Sequence, residues 1–268
     1  MFKKRIFVKK YIFFILNLVF LILVFVSDNF SNNFPWQQKL IVKDFAGNYK
    51  GWVEIFITTC SPNQICDSGI DLYSKLMYSQ NVNFQESSDN MTNNPLVTYC
   101  TTIISDTDLP FWFFSGKSKT YECEFYDKNF SPIESNFLLY GKEENFKITT
   151  KKIFDNFNIL WKSSKAIVKE KTLPANKNIL TAGNLRNIIM SLDLTIKDNK
   201  TFFLLDKFKL ETKRLIISTT GKTHTINNID TYRINIDIGI LGKFSFYIDK
   251  NYNVIYGEGM GIKVYPEK

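Results

Sequence analysis

The residues able to do chemistry are few, and the four cysteines, Cys60, Cys66, Cys100 and Cys123, come first. A structural zinc site asks for C-x₂₋₄-C spacing or for histidine partners. Here the first pair is spaced C-x₅-C in "CSPNQIC", and the single histidine, His224, follows about a hundred residues after the last cysteine. No C-x-x-C redox pair occurs either, so neither metal nor thiol exchange is expected. Structural disulfides are the remaining chemistry for an exported chain. The run "GWVEIFITT" reads as a strand, and "SPNQ" after it supplies turn residues. Cys60 and Cys66 then stand at the feet of a short loop, where a Cα separation of about 5.5 Å is easily met. Of the three connectivities open to four cysteines, Cys60–Cys66 is the one expected, which leaves Cys100 to Cys123.

Other candidates are weaker. Glu122 and Glu124 fall on one face of a strand and could do acid–base work; a solvated face is the ordinary expectation. His224 lies beside Gly221 in a predicted hairpin and is expected to be exposed. "SGKS" (115–118) resembles a phosphate loop, but Phe111 stands where its first glycine belongs. "GEGMG" (257–261) is followed by only seven residues, too few for a pyrophosphate-binding helix, and predicts a bulge or tight turn. No G-x-S-x-G occurs. The expectation is a protein without catalytic, metal-binding or cofactor-binding residues and with no cofactor.

The elements that carry these residues begin with a basic flank, residues 1–10, holding Lys3, Lys4, Arg5, Lys9 and Lys10. Residues 11–26 follow and are apolar except for Asn17. A basic flank before an apolar run fits a signal peptide or a signal anchor. As a helix the run rises about 24 Å, a little short of the roughly 30 Å hydrocarbon core, and flanking lysines can snorkel across the difference. "VFVSDNF" lacks the small residues of a cleavage site, which favours an uncleaved transmembrane anchor. The flank then stays cytoplasmic and the rest is periplasmic or extracellular. Much of the net charge of +8 belongs to that flank. Lysines elsewhere are interspersed with acids, which excludes a nucleic-acid footprint.

Beyond the anchor, two stretches are expected: a β-rich region over 30–174 holding the cysteines, and a helix plus antiparallel sheet over 180–268, readable as continuous with it. Strands are predicted at 51–59, 69–78, 96–104, 119–127, 136–141, 145–154, 157–162 and 166–171. Leu185, Ile188, Ile189 and Leu192 recur at helical spacing, with Thr181 or Asn184 available as cap. After that helix Tyr232, Ile234, Ile236 and Ile238 alternate with polar residues, as do Phe244, Phe246 and Ile248, and "TTGK" (219–222) reads as a hairpin turn. The fold class expected is mainly β: a transmembrane helix, then an antiparallel curved sheet or half-open barrel around one packed helix.

The passage from Gly221 through Ile226, Ile229, Thr231, Tyr232 and Ile234 to Asp249 resembles an uncharacterised family of bacterial periplasmic domains. That family is similar in architecture to the LolA/LolB lipoprotein carriers, whose half-open barrels hold acyl chains. The resemblance covers residues 180–262 and implies a barrel with an apolar interior. It supplies no catalytic residues.

Two sets of residues then become candidates for a cavity or interface. Phe111, Trp112, Phe113 and Phe114 run in sequence, so in a strand they would project on both faces, either buried twice or forming an adhesive rim. Ile234, Ile236, Phe244 and Phe246 would line a cavity. Three functions are weighed: a membrane-anchored exported binding protein for a lipid or acyl chain in envelope transport or assembly, a structural component docking another envelope protein, and an enzyme with an unrecognised site.

Overall fold

The computed structural model describes residues 36–59, 98–108, 117–141, 145–165, 167–175, 178–181, 183–239, 242–259 and 261–267. The proposed anchor at 11–26, Cys60, Cys66, the strand predicted at 69–78 and the aromatic run Phe111, Trp112, Phe113 and Phe114 lie outside them. Among the described residues no helix is long and apolar enough to cross a membrane.

The first eight strands are β1 (Trp36–Asp44), β2 (Tyr49–Thr59), β3 (Tyr99–Thr107), β4 (Ser118–Tyr126), β5 (Pro132–Tyr140), β6 (Asn145–Ile153), β7 (Asn156–Ser163) and β8 (Val168–Pro174). After β9 (Ile179–Leu180) comes a short helix, α1 (Leu185–Met190). Then follow β10 (Lys197–Asp206), β11 (Glu211–Ile226), β12 (Ile229–Asp237), β13 (Lys243–Ile248), β14 (Val254–Gly259) and β15 (Ile262–Pro266). The predicted alternation forms these strands where one face meets solvent. In β2, Val53, Ile55 and Ile57 are fully buried while Trp52, Glu54 and Phe56 are half-buried.

All fifteen described strands form one sheet, ordered β8-β7-β6-β5-β4-β3-β2-β1-β15-β14-β13-β12-β11-β10-β9. Neighbours are antiparallel except β9 and β10. Two meanders therefore leave a common centre, where β1 pairs with β15 from Leu40↔Pro266 to Asp44↔Ile262. Laid flat, such a sheet would hold its edges about 65 Å apart at ordinary strand spacing. Yet its edge strands β8 and β9 are joined through residues 175–178 alone, and a link of that length spans at most about 19 Å. The sheet must curl until its two edges come near each other.

Inside the curl, residues from both meanders, among them Val53, Ile55, Ile148, Ile217, Ile234 and Phe244, pack with Leu185 and Ile189 of α1 as one apolar core. A smaller cluster, including Cys100, Ile104, Tyr121, Cys123 and Phe125, lies on the opposite face of β3 and β4. The helix is shorter than its periodicity suggests. Ser191 and Leu192 close its end with i→i−3 bonds to the carbonyls of Ile188 and Ile189, a tightened last turn that still buries Leu192. Asn184 precedes the helix, but its side chain folds back: Oδ1 accepts from the Thr181 amide at 2.8 Å and Nδ2 donates to the Ile179 carbonyl at 3.1 Å.

"TTGK" is not the hairpin turn. β11 runs straight through it, with a register shift between Thr219 and Thr223 and Gly221 at φ +66°, so the glycine serves a bulge. The turn falls at Asn227–Asn228, both at positive φ (50° and 63°), as a two-residue type I′ loop requires. Because glycine suits the second position of such a loop better than asparagine, Asn228→Gly is expected to raise the unfolding free energy by about 0.5 kcal/mol. Urea denaturation with an unchanged or lowered midpoint would count against that assignment.

Candidate functional site

The strand "SKTYECEFY" alternates Ser118, Thr120, Glu122, Glu124 and Tyr126 with Lys119, Tyr121, Cys123 and Phe125. Glu122 sits across from Ile103 and Phe137, and Glu124 from Thr101 and Ser135. Ile103 and Phe137 belong to the large core, so the carboxylates point into the curl. They are 3 % and 0 % exposed, which corrects the expectation of a solvated face. Both faces of β4 are covered, and its apolar face, under the smaller cluster, is the outer one.

The partner of the two acids comes from the other meander. The β10–β11 loop folds over Asp206, whose carboxylate accepts the amides of Phe208 and Lys209 and pairs with Lys213 at 2.6 Å. Lys207 is thereby turned inward, buried, and donates to Glu122 Oε1 and, at 2.6 Å, to Glu124 Oε1. Glu124 Oε2 accepts the Tyr126 hydroxyl, the Thr181 hydroxyl at 2.7 Å and the Gly183 amide at 2.7 Å. Gly183 can come this close because it has no side chain: a Cβ there would meet the Tyr126 hydroxyl and lie 2.6 Å from Glu124 Oε2.

The charges divide unequally. Burial pushes the Glu122 carboxyl up to about 8, with Lys207 pulling the other way and the Glu124 charge adding to the rise. Burial would raise Glu124 as well, but Lys207 and the hydrogen bonds from Glu122, Lys207 and Tyr126 outweigh it and hold that carboxyl low, at about 2. Burial works against the Lys207 charge, and the two carboxylates more than restore it. Tyr126 is driven well above its ordinary value by burial and by Glu124. Near neutral pH the cluster is therefore a lysine cation, one carboxylate and one carboxylic acid, with no net charge. A raised acid beside a lowered one is an arrangement suited to proton transfer. Here every group is sealed among its partners, and what the cluster joins is β4, the 181–184 lead-in to α1 and the β10–β11 loop.

Other polar groups share that inner face with Ile103, Phe137 and Leu139. Ser105 and Thr120 hydrogen-bond to each other at 2.6 Å. The buried hydroxyls of Thr107, Ser118, Ser135 and Thr150 have no hydrogen-bond partner among the described residues. Buried hydroxyls of this kind are suited to solvent or a polar group admitted to the interior. The inner face of the other meander is apolar. Ile234, Ile236, Phe244 and Phe246 are brought together there, fully buried in the core. Phe244 and Phe246 stack at 4.8 Å and face Gly259 and Gly257 across the β13–β14 ladder. Gly257 and Gly259 of "GEGMG" make room for aromatic rings: a Cβ on Gly257 would lie 2.8 Å from the Phe246 ring.

The remaining candidates separate. Cys100 is disulfide-bonded, and Cys123 is not the other half of that bond. The register explains why: Cys100 lies opposite Phe125 and Cys123 opposite Thr102, a diagonal with Cα atoms about 7–8 Å apart, beyond disulfide reach. The expected Cys100–Cys123 bridge is corrected accordingly. His224 is half-buried on the outer face, edge-on to Tyr247 at 5.5 Å. Lys207 was not legible as a site residue, since "LLDKFKLE" reads as an ordinary hairpin loop.

No protein-family model matches the chain, and no curated protein does. Among solved structures it is similar to a β-barrel-like protein of the domain of unknown function DUF1849 from Brucella abortus, with a TM-score of 0.51 and 10 % identity, over 87 % of this chain and 96 % of that one. A DUF1089 family protein from Pseudomonas aeruginosa matches 59 % of this chain and 84 % of that one, with a TM-score of 0.37 and 13 % identity. The first likeness is one of fold alone, and with the curled sheet it makes this chain a mainly β protein of barrel-like architecture.

Proposed function

We propose that this chain is a membrane-anchored, exported binding protein without catalytic activity, holding the acyl chain of a lipid inside its curled sheet in envelope transport or assembly. The observation that carries the reading is the seam. Among the described residues β8 and β9, the two edges, share no ladder, so the curl can part there without breaking a strand pair. The interior is apolar along β12 and β13 and carries buried hydroxyls on β3 to β6 between Ile103, Phe137 and Leu139, which suits a molecule with an apolar chain and a polar head. Residues 180–262 resemble a periplasmic domain family that is similar in architecture to the LolA/LolB carriers, and the apolar run at 11–26 would hold the protein at the membrane.

The test is native mass spectrometry of the full chain taken from its own envelope in mild detergent, beside a control in which residues 1–30 carry an unrelated domain. A stoichiometric acyl lipid on the full chain and not on the control is the expected result; an equally lipid-free pair would overturn it. A second reading, docking to another envelope protein, is favoured by the edge itself. Ile167 and Val168 are exposed beside it, and Phe154 at the β6–β7 turn is 91 % exposed. A lipid-free chain that crosslinks to a partner through a photoreactive residue at position 168 would select this reading.

A further inference from the structure

We propose that Glu122, Glu124 and Lys207 form a proton-dependent clasp, which ties β4 to the 181–184 segment and the β10–β11 loop while Glu122 is protonated and loosens when that proton leaves. The hydrogen-bond donors are unequally shared. Glu124 receives Lys207, Tyr126, Thr181 and the Gly183 amide, whereas Lys207 is the donor Glu122 shares with it. Two buried acids facing one cation balance only if one of them is neutral. Glu124, with the more donors, is the ion, and Glu122 is the acid.

Among the described residues, the groups facing Glu122 from each neighbouring element are few. β4 offers Glu124 and Tyr126, the β10–β11 loop offers Lys207, and β3 and β5 present Ile103 and Phe137. Asp206 is already paired with Lys213. Loss of the proton therefore leaves a second carboxylate in the core with no second cation. The direction of the Glu122 shift agrees: its folded value lies above the ordinary 4.5, so its stabilising contribution is complete below that ordinary value and is lost as pH rises through about 8.

The reporter is the Gly183 amide, which donates to Glu124 itself. In hydrogen exchange of the full chain, corrected for intrinsic rates, protection at Gly183 and Ile188 is expected to fall at least about tenfold between pH ~6 and pH ~9, while β11 and β12 keep theirs. Glu122→Gln, which cannot titrate, is expected to hold protection constant over that range. Wild-type protection independent of pH, or a variant that follows the wild type, overturns the proposal. Should the variant not fold, infrared spectra of the wild type decide: a buried carboxylic-acid band present at pH ~6 and gone at pH ~9 supports it, and a fully ionised pair at pH ~6 overturns it.

Discussion

Lys207→Met is expected to lower the unfolding free energy by about 3–5 kcal/mol at neutral pH, the usual cost of removing one partner from a buried ion pair. Methionine fills much of the lysine's volume, so the loss is electrostatic: Glu124 would keep its neutral donors but have no cation in the core. It must then stay charged at great cost or take up a proton at a pH where unfolded glutamates are ionised. The pH dependence separates this from loss of packing. In the wild type Glu124 is held below the ordinary value of 4.5, so its contribution is present above that value and fades as pH falls towards about 2. The gap between variant and wild type should therefore narrow as pH is lowered. Urea denaturation at neutral pH and near pH ~4 measures it. A deficit that is small, or equal at both, would mean that Lys207 is held by its hydrocarbon stem rather than its charge.

Gly183→Ala comes next, with an expected loss of about 2–4 kcal/mol. The added methyl meets the Tyr126 hydroxyl, Glu124 Oε2 at 2.6 Å and Thr101 Cβ at 3.0 Å, and all three neighbours are buried and held by their own bonds. The 181–184 segment must withdraw, taking the Gly183 amide and Thr181 hydroxyl away from Glu124. A double-mutant cycle makes the claim specific. Tyr126→Phe removes the nearest obstacle, so the double variant is expected to lose about 1 kcal/mol less than the sum of the two singles. Strict additivity would place the damage somewhere other than the cluster.

Many strands with one face in water were legible, although β1 and β15 were not among those predicted. β2, β12 and β13 keep a clean period of two because Trp52, Arg233 and Tyr247 stay half-solvated opposite fully buried residues. In β3 and β4 the same alternation misleads. Both faces are covered, and the more polar one faces the larger core, so a reading that sends apolar residues inward chooses the wrong side. The carboxylate pair was visible as Glu122 and Glu124, but its environment was not, because that depends on a lysine 85 residues away turned inward by a loop. "TTGK" looked like a turn for a related reason: glycine at positive φ serves a bulge as well as a hairpin, and nothing local distinguishes them. The cysteine pairing failed on register, which a strand's own sequence does not carry.

The common centre of the two meanders bears on the order in which the protein can be made. β1 is synthesised first and β15 last, yet they are neighbours in the middle of the sheet. The first eight strands can zip together as successive hairpins while the chain is still emerging, but the free side of β1 waits for residues 262–266. A nascent or prematurely terminated chain thus presents a long unpaired strand side, a template for aggregation. That interval ends only when the last five-residue strand closes the sheet at its centre.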